Sequence, residues 1–105
     1  MRIFAAFALV AALALPPAAS ANSKGDCDTI SLVAELVMKS HQVGVPMTDI
    51  MGNLGEHFSE IIIAAYDTPR FQTQAQKDRS VAEFRDKMTV ACYKGEISVP
   101  DGAKP

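Results

Sequence analysis

The 105-residue sequence contains no tryptophan, only two tyrosines and only two histidines. Trp and Tyr rings are the usual platforms for sugars, so their scarcity argues against glycoside cleavage by Glu56 and Glu60, whose carboxylates are four residues apart. His41 and His57 belong to no HExxH pair and no Cys/His cluster, one of which a zinc site would be expected to show. The composition therefore predicts neither a metal site nor a cofactor.

The chain also lacks an excess of positive charge. Ten Lys and Arg residues stand against twelve Asp and Glu, a net charge of −2 at pH 7, and the charges are interspersed along the sequence. Nucleic acids and anionic lipid surfaces are normally bound through basic patches. The sequence therefore predicts no nucleic-acid partner and no adsorption to anionic lipid.

No apolar run reaches the roughly 20 residues that a membrane-spanning helix needs. The longest, Ile3–Leu15, follows Arg2, is closed by two prolines and precedes Ala19-Ser20-Ala21, the small-residue pattern that signal peptidases cleave. This order predicts a signal peptide over residues 1–21 and an exported mature chain, periplasmic or secreted. It also predicts no stable membrane anchor once the signal peptide has been removed.

Cysteine occurs only twice, at Cys27 and Cys92. An even number of cysteines in an exported chain favours a disulfide, since the compartment is oxidising. In the chain-entropy model, closing a loop of about 65 residues stabilises the fold by roughly 4 kcal/mol. That is comparable to the whole net stability of a mature chain of about 84 residues, because so short a chain buries a limited core.

Apolar residues at helical spacing predict a first helix over residues 28–43. Asp28 is the expected N-cap, and Gly44 marks the expected end. Leu32 and Leu36 lie beside the main apolar stripe and widen it, so we expect this helix to be covered on more than one side. The stripe itself comprises Ile30, Val33, Ala34, Val37, Met38 and His41.

Two shorter helical segments follow. A weak helix begins at Thr48 and is kept short by Gly52 and Gly55, since each glycine costs about 1 kcal/mol relative to alanine. Residues 56–66 are expected to form a third helix, although the run Ile61–Ala65 alone would also fit a buried strand. Helix is favoured because the apolar spacing continues to the N-terminal side of this run and no second strand exists to pair with it.

Residues 74–94 are expected to form the last helix. Thr73 and Gln76 have the spacing of a capping box at its start, and Gly95 is expected at its end. Its inward face comprises Val81, Phe84, Met88 and Cys92. Residues 96–105 contain Pro and Gly without periodicity, which predicts a flexible tail.

These segments predict an all-α fold, a small bundle of three to four helices within one domain, residues 22–95. Cys27 lies at the start of the first long helix and Cys92 near the end of the last. If the two helices pack antiparallel, these ends are neighbours and a disulfide fits between them. We therefore expect the bridge to tie the first and last long helices together.

Three stretches give the chain a resemblance to known proteins. They are the helix ISLVAELVMKSHQVGVPM, the segment IIIAAYDTPRF and a final helix ending in FRDKMTVACYK. Over about residues 27–94 the chain resembles short exported, two-cysteine helical proteins of bacteria and their phages. No activity is assigned to those proteins, so the resemblance implies none. By architecture alone, the mature domain is also similar to the acid-stress chaperones of the enterobacterial periplasm, small exported helical proteins with one disulfide.

Nucleophilic catalysis has no support in the sequence. The serines within or beside the predicted helices lack a GxSxG turn, and both cysteines are expected in a bridge, which leaves no free thiol. So small a helical domain also has little room for a substrate cleft of a few hundred cubic ångströms beside its core. The protein is therefore not expected to be an enzyme.

The segment from Tyr66 to Phe71 combines two aromatic rings and an arginine around a turn that Pro69 constrains. These residue types are enriched at the energetic centres of interfaces, which makes Tyr66, Arg70 and Phe71 the candidate partner-binding residues. The two rings equally fit the edge of a core, with Arg70 solvating the turn. The helical methionines leave the same alternative, an adaptable groove or core filling. These methionines are Met38, Met47, Met51 and Met88.

The sequence thus favours a small exported, non-enzymatic protein that binds or modulates another envelope or secreted protein, of the inhibitor, immunity or lysis-regulator type. The alternative is a periplasmic acid- or stress-responsive chaperone that exposes apolar helix faces when conditions change. A dedicated binder stays folded across pH and has one tight partner. A chaperone loosens at low pH and binds many clients.

Overall fold

A computed structural model describes residues 23–99. Within this range the chain forms four α-helices, one 3-10 turn and no strand, which confirms the predicted all-α fold. The elements are α1 (Lys24–Gln42), α2 (Met47–Leu54), the 3-10 turn Glu56–Phe58, α3 (Ser59–Tyr66) and α4 (Gln74–Tyr93). The predicted signal peptide, residues 1–21, lies outside the described residues.

The first helix begins at Lys24, earlier than the sequence predicted. Its N-cap is Ser23 and not Asp28, since the Ser23 hydroxyl accepts the Asp26 N–H at 3.1 Å. Asp28 lies inside the helix, where its carboxylate pairs with Lys24 at 3.0 Å. The prediction placed the cap at the acidic residue next to the apolar stripe. A serine farther upstream satisfies the free N–H groups of the first turn instead.

Helix α1 is the central element of the bundle. It packs most extensively along α4 and also against α3, while α3 and α4 barely touch each other. The residues that α1 and α4 contribute to the core follow the predicted spacing, which confirms both helices. They are Cys27, Ile30, Ala34, Val37 and Met38 from α1, and Val81, Phe84, Met88 and Cys92 from α4.

A disulfide joins Cys27, near the start of α1, to Cys92, near the end of α4, with the two Cα atoms 5.5 Å apart. Both cysteines are completely buried. The predicted pairing and its place between the first and last long helices are confirmed. Antiparallel packing of the two helices explains the bridge, because it brings the start of one beside the end of the other.

The run of isoleucines is helical, as predicted. The segment starts as the 3-10 turn and becomes α-helical at Ser59, and it directs Ile61, Ile62 and Ala65 into the core. A strand at this place would leave its backbone groups unpaired, because the described residues provide no strand edge beside it.

Packing continues beyond the last helix. Gly95 follows α4 with a φ of +81°, and the chain then returns to the bundle. Ile97 packs against the core and Val99 is 5% exposed, so the packed chain extends past residue 95, where the predicted domain ends. The tail was predicted from its Pro and Gly content, whereas these two apolar side chains decide the packing. Residues 100–105 of the predicted tail lie outside the described residues.

Candidate functional site

The turn predicted to bind a partner, residues 66–71, is held on the C-terminal end of α1 by the side chain of Gln42. This side chain is 1% exposed. Its Nε2 donates to the Pro69 carbonyl and its Oε1 accepts the Phe71 N–H, both at 2.9 Å. The amide thus satisfies main-chain groups of Pro69 and Phe71, which belong to no helix or strand. The turn is thereby fixed relative to α1.

A second set of contacts fixes the start of the turn. The Tyr66 hydroxyl donates to the Val45 carbonyl at 2.6 Å, and the centroid of its ring lies 4.4 Å from that of His41. His41 donates from Nε2 to the Thr68 carbonyl at 2.5 Å, which places a proton on that nitrogen because a carbonyl only accepts. His41 and Tyr66 therefore hold the junction between α1, the following linker and the turn.

The ionisation of Tyr66 is affected by this position. Burial of the Tyr66 hydroxyl raises its pKa, and the Asp49 carboxylate raises it further. Both effects favour the neutral phenol, which is the form that donates to Val45.

Of the three candidate partner-binding residues, Arg70 is the exposed one, whereas Tyr66 and Phe71 are half-buried. Its guanidinium lies over Gly44, where a Cβ would meet Nη2 at 3.1 Å. Gly44 also has a φ of +94°. Its backbone conformation and the nearby Arg70 guanidinium therefore both favour glycine at this position. Within residues 23–99 no carboxylate forms an ion pair with Arg70. The guanidinium is therefore accessible beside the C-terminal end of α1.

Two neighbouring pockets lie between α4 and the chain formed by α3 and the turn, because α1 keeps these elements apart, and we call them together the α3–α4 groove. Its narrow end, beside the turn, has a volume of about 190 Å³, and its wide end has a volume of about 570 Å³. Lys87 borders both ends. The apolar lining of this α3–α4 groove consists of Met38, Phe71, Phe84, Met88, Val90, Ala91 and Ile97.

Two of the four helical methionines occupy the floor of the groove. Met38 lines the narrow end and Met88 the wide end, and both are buried in the core. At these two positions the methionine side chain therefore both fills the core and lines the groove. Because a thioether side chain is flexible, the floor can adapt to a bound side chain.

The outer face of α1 is not covered by the described part of the chain. Leu32, Leu36 and Val43 expose 69%, 50% and 71% of their surface. The expectation that Leu32 and Leu36 are covered on a second side is therefore wrong within residues 23–99. The reason is that α2 packs mainly on α3 and the 3-10 turn and leaves this face of α1 free.

The remaining residues considered for chemistry are dispersed. His57, Glu56 and Glu60 are exposed on the 3-10 turn and α3, whereas His41 is buried at the end of α1. The described residues contain no group of three or more His, Cys, Asp or Glu side chains that could hold a metal ion. No helix in that part of the chain is long and apolar enough to cross a membrane.

Gln42 was not identified from the sequence, although a signal for it exists. Position 42 continues the series Ala34, Met38 at a spacing of four residues, so it lies on the buried face of α1. A glutamine at such a position needs a partner for both ends of its amide. The partners are the main-chain groups of the turn. Because the turn is distant from α1 in the sequence, this pairing could not be predicted.

No protein-family model matches the chain, and no curated protein or solved structure is significantly similar to it. The groove and the adjoining turn are therefore the observations that bear on function.

Proposed function

We propose that this protein is a small exported, non-enzymatic protein that binds another envelope or secreted protein through the α3–α4 groove and Arg70. The groove carries the proposal, since it combines a concave apolar floor with Phe71 at one end, close to an exposed arginine. Concave apolar surfaces with a few polar groups are typical of binding sites. Aromatic residues and arginine are frequent energetic centres of protein interfaces.

The borders of the groove are fixed within the fold, which supports a dedicated binder. The disulfide ties α4 to α1, and Gln42 and Tyr66 hold the turn. A surface that is already ordered loses less conformational entropy when a partner binds. A stress-responsive chaperone, in contrast, has to open its apolar surface when conditions change. An inhibitor, an immunity protein or a lysis regulator fits the ordered surface better.

The dimensions of the groove indicate what the partner presents. The narrow end is comparable in size to a single large apolar side chain, and Met38, Phe71 and Phe84 surround it. The rim carries charges of both signs, Glu83 and Lys87. We therefore expect the partner to insert one apolar side chain beside Phe71 and to contact the rim with polar groups.

Site-specific photocross-linking tests this proposal in the native compartment. A photoreactive residue at Lys87 lies in the groove, whereas the same residue at the exposed Asn53 on α2 lies away from it. We expect one defined product with another protein from position 87 and none from position 53. Ala91→Trp, which fills the wide end, should abolish that product while circular dichroism remains unchanged.

Two outcomes would contradict the proposal. Equal yields of the same product from positions 87 and 53 would show that the groove is not the contact surface. Many different products that increase at low pH would instead support the chaperone alternative.

A further inference from the structure

We propose that two copies of this protein associate in an antiparallel arrangement through the outer face of α1. This inference is independent of the proposed function, because the face points away from the α3–α4 groove. The residues that carry it are Leu32, Leu36 and Val43, which we call the outer stripe.

The outer stripe is a straight row on one side of the helix. Its members are separated by four and seven residues, so they lie within about 40° of each other around the helix axis. The core residues Ala34 and His41 lie on the opposite side of α1. The outer stripe is therefore an apolar surface on the side of α1 that faces away from the core.

The two leucines of the stripe are complementary to each other. A two-fold axis that runs between two copies of α1, at the level midway between Leu32 and Leu36, would place Leu32 against the second copy's Leu36, and the reverse. The same axis brings Asp28 to within one residue of the level of the second copy's Lys39, about 1.5 Å along the helix. Asp28 and Lys39 lie along the same side of the outer stripe. In an antiparallel pair related by a two-fold axis, this side of one helix lies against the same side of the other.

Charges along this side of the outer stripe favour the same arrangement. The side chains of Asp28 and Lys39 are 60% and 61% exposed. Each already pairs within its own helix, Asp28 with Lys24 at 3.0 Å and Lys39 with Glu35 at 2.9 Å. The dimer would join these pairs into a row of alternating sign, and networks of this kind contribute more than isolated surface pairs.

One like-charge contact opposes the arrangement. Glu35 lies one residue from the axis and approaches the Glu35 of the second copy. Within each copy, however, Lys39 at 2.9 Å and Arg85 at 3.8 Å share this carboxylate. These two cations offset the repulsion, so Glu35 weakens the dimer without preventing it.

The size of the interface sets the expected affinity. In this register Val43 lies at the level of the second copy's Gly25, so Leu32 and Leu36 of each copy form the apolar contact. Two aliphatic side chains per copy give an interface at the small end of the range for specific complexes, below about 1,200 Å² in total. We therefore expect a dissociation constant above about 1 µM. The protein should be monomeric in dilute solution and dimeric when concentrated, with both grooves open.

Sedimentation equilibrium of the purified, oxidised protein over a wide concentration range measures this association. Leu36→Glu should abolish it, because the substitution places two carboxylates beside the axis. Ile63→Glu is the matched control, since Ile63 on α3 is 55% exposed but lies outside the stripe. This control should leave the dimer unchanged.

Charge reversal identifies the antiparallel register. Asp28→Lys and Lys39→Glu should each weaken self-association at least about tenfold, because each creates two like-charge contacts in the dimer. An equimolar mixture of the two variants should recover association to within about threefold of the original, since both contacts are then between opposite charges.

A protein that stays monomeric at millimolar concentration overturns the proposal. A dimer that survives Leu36→Glu uses another surface and overturns it as well. Failure of the mixture to recover association rules out the register proposed here. None of these results affects cross-linking from position 87, so failure of the dimer and failure of the groove are distinguishable.

Discussion

Gln42 and Pro69, 27 residues apart in the sequence, are joined by a hydrogen bond of 2.9 Å from the side-chain Nε2 to the main-chain carbonyl. The other end of the same amide accepts the Phe71 N–H at 2.9 Å. One buried side chain thus provides both a donor and an acceptor to the turn, as a neighbouring strand would. The turn depends on α1 for its conformation.

Replacement of Gln42 by Leu should therefore destabilise the protein strongly. The substitution keeps the size of the side chain but removes its amide, which leaves the part-buried Pro69 carbonyl and Phe71 N–H without this partner, at up to about 1–3 kcal/mol each. Urea denaturation measures the loss. Gln72→Leu, at an exposed position of the same turn region, is the control and should change stability little. An equal midpoint for the original protein and Gln42→Leu would contradict the clamp.

Two glycine-to-alanine substitutions should have opposite effects. Gly44→Ala should cost about 1–2 kcal/mol, since Gly44 has a positive φ, and the added methyl group also meets Arg70. Gly52→Ala should instead stabilise by about 0.5–1 kcal/mol, because Gly52 lies within α2 with open space around it.

The double variant Gly44→Ala, Arg70→Ala separates the two causes at Gly44. It removes the contact with the guanidinium and keeps the backbone strain, so it should recover only part of the loss. Full recovery in thermal unfolding would show that the backbone conformation at residue 44 is not strained for alanine.

Stability should fall at alkaline pH because of Tyr66. Its folded-state pKa is raised, first by burial and then by Asp49, above the unfolded value of about 10. The contribution of the neutral phenol is complete below that unfolded value and is lost as the pH rises through the folded one.

Tyr66→Phe tests this contribution directly. The variant should lose about 1 kcal/mol at neutral pH, because the hydrogen bond to Val45 is absent. Its stability should then decrease less between pH 9 and 11 than that of the original protein. Parallel pH profiles from chemical denaturation would argue against a role of this hydroxyl.

The disulfide should account for a large part of the stability. Replacing both Cys27 and Cys92 by Ser should cost about 4 kcal/mol in the chain-entropy model, close to the total expected for a domain of this size. In the original protein, mass spectrometry should show a loss of about 2 Da relative to two free thiols. Alkylation without prior reduction should modify neither sulfur, since both belong to the disulfide and neither is a thiol.

Binding of a partner should depend on Arg70 and Phe71. Their joint replacement by Ala should weaken the complex by at least about 2 kcal/mol, the usual threshold for an energetic centre of an interface. Helicity should barely change, because the Phe71 contact to Gln42 uses the backbone N–H, which alanine retains. Loss of helicity on this double substitution would instead assign both side chains to the edge of the core.

The parts of the fold that follow from periodicity were predictable. The buried positions of α4 and most of those of α1 repeat at helical spacing, and the two cysteines lie where antiparallel helices bring their ends together. The start of a helix depends on which of several nearby residues caps its first turn. In α1 this residue is Ser23 and not Asp28. The packing of Ile97 and Val99 was not predictable, since nothing periodic surrounds them.

The candidate site was predictable only in part. Phe71 and Arg70 were recognised by residue type, without their environment. The groove requires the separation of α3 from α4, which depends on how these two helices pack on α1 and leaves no local pattern in the sequence. The exposure of Leu32 could not be predicted either. An apolar residue beside the core-facing positions of a helix is buried or exposed according to elements that are distant in the sequence.

The disulfide also imposes an order of events on the newly made chain. Cys92 follows Cys27 by 65 residues, so at 5–20 residues per second the first thiol waits roughly 3–13 s for its partner to be synthesised. Because Cys92 lies in the last turn of the last helix, the native bridge cannot form on a chain that ends before α4 is complete.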